Sequence, residues 1–356
     1  MTYKILGLMS GTSLDGLDLA YCHINPADGR WDYRIMAGRS IAYDPEMRDR
    51  LKNAIFLNGE EQLLLHNEYG HWLGKQAKTF IDTQDLEVDF ISSHGHTSHH
   101  RPEKGLTFQL GSGQHLATAS GLKTVCDFRT LDVALGGQGA PLVPIGDRLF
   151  FGQYDFCLNL GGISNISFED GGKRIAYDIG LANMLLNHLC RDTANGFDKG
   201  GALAEAGRLL PDLFKQLNNL EYYRLPYPKS TGYEWFLREV VPLTEKAGGS
   251  LEDLLHTGVH HICEQIAIQL ERFKIGSGQR LLVTGGGALN GYLMAVLKER
   301  LGGGIEVVVP DPALIEFKEA LVFALMGALR MEEKVNVLSS VTGAARDSSS
   351  GVVYLP

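Results

Sequence analysis

The sequence predicts an α/β protein of two layered domains, and three observations lead there. At 356 residues the chain exceeds what a single hydrophobic core usually serves. Strand-like runs alternate with segments of helical period. A strand, a turn rich in Gly, Ser and Thr, and a returning strand open the chain, and the same succession recurs in its second half. The expected domains are 1–130 and 131–335, with a tail, 336–356, packing back on the first. No low-complexity linker separates them.

Residues 5–9 read as a buried strand, 10–13 as a turn, 17–22 as a second strand and 33–37 as a third. Leu65, Tyr69, Trp72 and Phe80 recur at helical spacing, which predicts an amphipathic helix over about 60–82. Residues 88–92 form a strand that runs into His94 and Gly95. In the second half, strands are expected at 156–160, 166–168 and 174–178, with a helix starting near Asn183. Val259, Ile262, Ile266, Leu270 and Phe273 mark a long helix. A strand at 280–284 ends in Gly285-Gly286-Gly287, a helix follows to about 301, and Pro310 stops a last strand at 305–309.

Composition narrows the function. Hydrophobic residues make up 44% and charged residues 21%, ordinary for a globular chain. A net charge of -9 and the absence of any Lys/Arg run argue against a nucleic-acid surface. The start lacks a secretory signal, and no apolar run approaches the ~18 residues a membrane span needs. Cys22, Cys126, Cys157, Cys190 and Cys263 are scattered, so they read as small buried hydrophobes in a reducing compartment. The cytoplasm is the expected address.

Three glycine-rich turns each follow a strand. The first runs through Gly11, Thr12, Ser13, Leu14, Asp15, Gly16, Leu17 and Asp18. Glycines let backbone N–H groups approach phosphate oxygens, the hydroxyls add donors, and Asp15 and Asp18 could hold Mg2+. A plain β-hairpin with a polar turn would read the same. The second turn, with Gly161, Gly162 and Asn165, has this chemistry without an acid in the turn. The third, with Gly285, Gly286, Gly287 and Asn290, can take an adenine-ribose unit or a phosphate at a helix N-terminus. A Walker A loop and a GxGxxG fingerprint are both missing.

The order of these turns resembles the two phosphate segments and the adenosine segment of the hexokinase, Hsp70 and actin superfamily. That implies two actin-like ATPase (ribonuclease H-like) domains with a central interdomain cleft and a hinge. Four blocks sharpen the likeness: Gly7-Leu8-Met9-Ser10-Gly11-Thr12-Ser13-Leu14-Asp15-Gly16; Asp127-Phe128-Arg129 with the run from Asp132 to Pro144; Pro228-Lys229-Ser230-Thr231-Gly232; and Ser340-Val341-Thr342-Gly343-Ala344. With them the chain resembles the anhydro-N-acetylmuramic acid kinases. The resemblance implies ATP and Mg2+ as cofactors, a small amino sugar as substrate and a homodimer. It also implies phosphorylation of O6 of 1,6-anhydro-N-acetylmuramic acid while water opens the anhydro bridge.

By the same resemblance Asp178 is the general base, Arg129 lies near the transferring phosphoryl group, and Glu319 faces the site. Read alone, Asp178 could instead cap the next helix, Arg129 could form a surface ion pair, and Glu319 is a polar position in an Ala/Leu-rich helix. His94, Thr97, Gln138, Asn183 and Lys229 are the expected sugar contacts. His94, His96, His99 and His100 could suggest a metal site, but the family pattern here favours a sugar-contacting loop. Ile179, Leu181 and Ala182 stand where the family usually has Thr, Pro and Gly. Leu289 replaces a His, and Gly111-Ser112-Gly113 replaces a Gly-Asp-Pro segment. The same fold leaves open a chaperone-like or regulatory ATP-binding module, and the departures leave open an inactive sugar sensor.

Overall fold

The computed structural model describes residues 2–12, 14–27, 30–273 and 278–356. Its strands are β1 (Tyr3–Ser10), β2 (Gly16–Ala27), β3 (Arg30–Ala42), β4 (Phe90–Arg101), β5 (Leu106–Leu110) and β6 (Thr124–Cys126). They continue as β7 (Phe156–Leu160), β8 (Ile163–Asp170), β9 (Lys173–Leu181), β10 (Gln279–Thr284), β11 (Ile305–Val308) and β12 (Val352–Tyr354).

The chain divides into two compact units, Met1–Phe150 with Phe317–Pro356, and Phe151–Glu316. The boundary therefore falls later than residue 130. The helices Thr130–Ala134 and Pro144–Phe150 stay with the first unit. The second of them seats Gly146 so closely on Val322 that an added Cβ would lie 2.3 Å from its side chain. The first unit also takes the chain back from residue 317, ahead of the tail expected at 336.

Among the described residues, the first unit's sheet has the order β12-β6-β4-β1-β2-β3, with β5 paired to β4. β1, β2 and β3 form an antiparallel meander, while β4 and β6 continue parallel to β1. Leu6, Leu8, Leu17 and Leu19 point to one face, where Leu65, Tyr69, Leu73, Ala77 and Phe80 cover them. Those last residues belong to the helix Gly59–Gln84, whose start is fixed by a capping box between Asn58 and Glu61. On the other face Gly7 admits the helix Pro312–Met331, and an added Cβ there would meet the Ala320 carbonyl oxygen at 2.0 Å.

The second unit repeats the plan with shorter strands: β9-β8-β7-β10-β11, again a meander followed by parallel strands. Its core joins Phe156, Leu158 and Ile179 to Val259, Ile262 and Ile266 of the helix Leu251–Arg272. β9 carries one extra residue. Ser164 faces Gly180 and Asn165 faces Asp178, so Ile179 has no partner across the ladder. Such a bulge bends its strand and re-aims neighbouring side chains. Here it lies beside Asp178.

Candidate active site

In the second unit, Asp178 is gripped from one side. The Ser230 hydroxyl donates to its Oδ2 at 2.9 Å and the Thr231 backbone N–H at 3.1 Å. Its backbone is tied to the same segment: its N–H donates to the Lys229 carbonyl at 3.1 Å, and the Tyr222 hydroxyl donates to its carbonyl at 2.7 Å. Among the described residues Oδ1 accepts no hydrogen bond. Burial raises the carboxyl's pKa, and the Thr231 N–H, the Ser230 hydroxyl and the Lys229 charge pull it partly back. Asp178 is not a helix cap, since Ala182 occupies that position and no side chain caps the helix Asn183–Leu189.

Lys229 lies buried beside it. Its ammonium donates to the Tyr222 carbonyl at 3.1 Å and stands 4.5 Å from the centre of the Tyr222 ring. Desolvation, helped by Arg272, lowers its pKa to about 8, against the pull of Asp178.

The second and third turns meet in this unit. The backbone N–H groups of Ala182, Asn183 and Met184 donate to carbonyls of Gly161 and Gly162 at 2.9–3.1 Å. The Asn183 amide donates to the Leu160 carbonyl at 3.0 Å, and a Cβ on Gly287 would lie 3.4 Å from Asn183 Oδ1. Gly285 (φ 80) and Gly287 must be glycine, because added carbons would lie 2.6 Å from Asn159 Oδ1 and Leu160 Cβ respectively. At Gly161, Gly162 and Gly286 an added carbon would make only ordinary contacts, at 3.5, 3.8 and 3.8 Å, and none has a positive φ. The chain's own packing therefore does not demand glycine at these three positions. Asn290 spends its carbonyl on capping the helix Gly291–Leu301, accepting from the Leu293 N–H at 3.0 Å. Asn165 sits opposite Asp178 in the ladder.

In the first unit, the guanidinium of Arg129 is held on three sides. Nε and Nη2 donate to His94 Nε2 at 3.0 and 2.8 Å, and Nη1 donates to the Gly139 carbonyl at 2.5 Å. His94 Nε2 must therefore be unprotonated, with Nδ1–H donating to the Gly95 carbonyl at 2.8 Å. Burial and the neighbouring Arg129 hold the His94 pKa well below its usual value. His94 thus has no ring nitrogen left for sugar; it orients Arg129. The histidine run is not a loop but the strand β4, which explains why His94 and His96 are buried.

Gly139 is fixed in turn by Asp132, which is fully buried. Asp132 Oδ2 accepts the Gly139 N–H and Oδ1 accepts the Thr342 hydroxyl, each at 2.7 Å. Burial lowers the Arg129 pKa to about 10, partly restored by Glu319 and Asp132. Glu319 is reachable by water yet crowded by protein, and the crowding, with Asp18, raises its pKa against Arg129 and Lys318. Thr97 accepts from Gln109 at 3.3 Å, and the exposed Gln138 is tied through its N–H to the Thr342 carbonyl at 2.8 Å.

The first turn is partly structural. Leu17 is fully buried, Leu14 (φ 62) packs on the same core, and a Cβ on Gly16 would lie 2.4 Å from the Ile41 carbonyl oxygen. Gly11 accepts the Leu14 N–H at 3.3 Å, while Thr12 and Asp15 are exposed. Ser13 lies outside the described residues. Asp18 accepts the Ser40 hydroxyl at 2.5 Å. Among the described residues no group of three or more His, Cys, Asp or Glu could hold a metal alone. Asp18 lies close enough to Glu319 to raise its pKa, and a carboxylate of this kind suits Mg2+, which typically takes one or two carboxylates and completes its shell with phosphates and water.

Most of the departures from the family pattern are absorbed by packing or capping. Ile179, Leu181 and Ala182 lie in apolar cores. Ser112 caps the helix Gly113–Ser120, the place an Asp would fill, and Leu289 is exposed. Sequence reasoning named Lys229 but passed over Ser230, Thr231, Tyr222 and Asp132. The first two were legible as hydroxyl-bearing neighbours in Pro228-Lys229-Ser230-Thr231-Gly232, although nothing local links them to Asp178.

Two sheets of one strand order, each opened by a glycine-bearing hairpin, define the actin-like ATPase class. The profile of the anhydro-N-acetylmuramic acid kinase family matches residues 3–356. The chain is 34% identical to the anhydro-N-acetylmuramic acid kinase of Aliivibrio fischeri, over 99% of both chains. It is 36% identical to that of Xanthomonas oryzae pv. oryzae, over 98% of this chain and 96% of the relative. A solved structure from Clostridium difficile, the activator of 2-hydroxyisocaproyl-CoA dehydratase with bound ADPNP, is 12% identical with a TM-score of 0.45, covering 93% of this chain and 97% of that one. The chain belongs to the anhydro-N-acetylmuramic acid kinase family. It is a kinase, and family membership disfavours the chaperone-like reading. Among the described residues no helix is long and apolar enough to cross a membrane.

Proposed function

We propose that the chain uses ATP and water to convert 1,6-anhydro-N-acetylmuramic acid to N-acetylmuramic acid 6-phosphate, in the recycling of cell-wall sugar. Asp178 takes a proton from a water attacking C1; the C1–O6 bond breaks, and O6 takes the γ-phosphoryl group as ADP leaves. General-base help of this kind contributes about a hundred- to ten-thousand-fold. The observation that carries the reading is a family-matched carboxylate with one oxygen engaged and the other open. Its raised pKa makes it a stronger base once ionised.

Arg129, pre-set by His94 and Gly139, offsets charge building on the phosphoryl oxygens. Glu319 faces the reacting groups. Thr97, Gln138, Asn183 and Lys229 contact the sugar. Gly11, Thr12, Ser13, Gly161, Gly162, Gly285, Gly286 and Gly287 line the nucleotide. Asp15 and Asp18 would hold Mg2+, which when bound neutralises phosphate charge. The enzyme works in the cytoplasm, in keeping with five scattered, buried, free cysteines, and by family likeness as a homodimer.

The test is product analysis by mass spectrometry in 18O water. One heavy oxygen at C1 of a phosphorylated, ring-opened sugar is expected. A phosphorylated sugar that keeps its anhydro bridge would overturn the hydrolytic half. Asp178→Asn should lower turnover at least about a hundredfold while ATP binding persists; near-normal turnover would remove Asp178 from its role.

A further inference from the structure

One polar group beside Asp178 has no partner among the described residues. Thr231 Oγ1 is buried and makes no hydrogen bond among the described residues, while the backbone N–H of the same residue donates to Asp178 Oδ2 at 3.1 Å. Buried hydroxyls are nearly always paired, because desolvation without a bond costs free energy. A group left so is one whose partner comes from outside the chain. The backbone N–H of the same residue already ties it to the Asp178 carboxylate. Its Oδ2 already accepts the Ser230 hydroxyl at 2.9 Å as well as the Thr231 N–H, and its Oδ1 accepts nothing among the described residues.

We propose that Ser230 and Thr231 select Oδ1 of Asp178 as the basic oxygen, and that the Thr231 hydroxyl holds the attacking water against it. This rests on Asp178 being the base. Two donors on Oδ2 fix the rotation of the carboxylate, so the open oxygen has one direction in which to receive a proton. The backbone bonds from Asp178 to Lys229 and Tyr222 anchor the same pair of segments, so strand and loop move together. In the step itself, one O–H bond of the water breaks and its proton passes to Oδ1. The oxygen bonds to C1 as the C1–O6 pair goes to O6, and the second hydrogen, held by Thr231 Oγ1, stays on the new anomeric hydroxyl. Ser230 is thus a positioning residue and Thr231 a catalytic one.

The charged and titratable groups facing Asp178 are Lys229, which favours the carboxylate, and Tyr222; Arg272 acts on Lys229. With these unchanged, Ser230→Ala removes one donor to the carboxylate. The acid limb of kcat/KM should then move up by about half a pH unit, modest because Ser230 is exposed. Thr231→Val keeps the backbone N–H and should lower kcat about tenfold or more with KM for sugar and ATP little changed, while Thr231→Ser restores most of it. An unshifted acid limb in Ser230→Ala, or wild-type kcat in Thr231→Val, would overturn the proposal. So would a Thr231→Ser enzyme as slow as Thr231→Val. If Thr231→Val does not fold by circular dichroism, Ser230→Ala and Thr231→Ser decide alone. An inactive Asp178→Asn beside a fully active Thr231→Val leaves the base standing and removes only the clamp; an active Asp178→Asn removes the base itself.

Discussion

Gly16, at the start of β2, and Gly161, between β7 and β8, hold comparable places in two sheets of one strand order, yet only the first is demanded by the chain. A Cβ on Gly16 would stand 2.4 Å from the Ile41 carbonyl oxygen, whereas one on Gly161 would meet nothing closer than 3.5 Å. The first hairpin spends its glycine on closeness between strands and presents acids. The second leaves bare backbone where nothing of the chain presses, and its sheet carries Asp178. One topology has thus been used twice with the charges divided: the Arg129 guanidinium in one unit, the Asp178 carboxylate in the other.

That contrast can be broken most severely through charge. Arg129→Ala should cost about a hundred- to a thousandfold in kcat, the loss typical of one transition-state donor. ATP affinity, measured by calorimetry, should change far less. A loss confined to KM would make Arg129 a ground-state contact instead.

The glycine contrast itself predicts opposite phenotypes. Gly16→Ala should lower unfolding free energy by about 1–3 kcal/mol in urea, because the obstacle is backbone that cannot swing aside. Gly161→Ala should stay within about 0.5 kcal/mol of wild type. It should nevertheless weaken ATP binding about tenfold, or about 1.4 kcal/mol. If both variants lose stability equally, the two hairpins do not differ as described.

The smallest effect concerns Asp178 and pH. Its folded-state pKa is raised, so the folded chain holds this proton more tightly than the unfolded chain. The carboxyl's contribution to stability is therefore fully present below the unfolded pKa and lost as pH rises through the folded one. Asp178→Asn should then be as stable as wild type or slightly more so at neutral pH, with the difference fading in acid. Melting curves across pH check this, and a variant clearly less stable at pH 7 would sharpen the view that the carboxylate also braces its loop.

The strands at 5–9, 17–22, 156–160 and 280–284 were legible because their side chains are buried on sheet faces and read as apolar runs. The helix at 60–82 was legible because Leu65, Tyr69 and Phe80 repeat at one period and face one core. The histidine segment misled, since polar residues in a strand carry no alternation when backbone pairing with β5 and a buried guanidinium, rather than apolar packing, set their places. The role of His94 was invisible for the same reason: its partner lies 35 residues away. The Asp178 clamp is likewise non-local, joining strand to loop across 52 residues. The return to the first unit was hidden because residues 317–331 read simply as a helix, and its receiver shows only in close approaches such as those at Gly7 and Gly146.

The return of residues 317–356 to the first unit bears on biosynthesis. A ribosome delivers the sheet that needs the helix Pro312–Met331 long before it delivers the helix, so β1 must wait with Gly7 uncovered until that helix emerges. The contiguous second unit can mature meanwhile. A fragment ending at Glu316, which holds the whole second unit, should therefore protect that unit from protease while the first unit is still cut, the reverse of the usual order from the amino terminus.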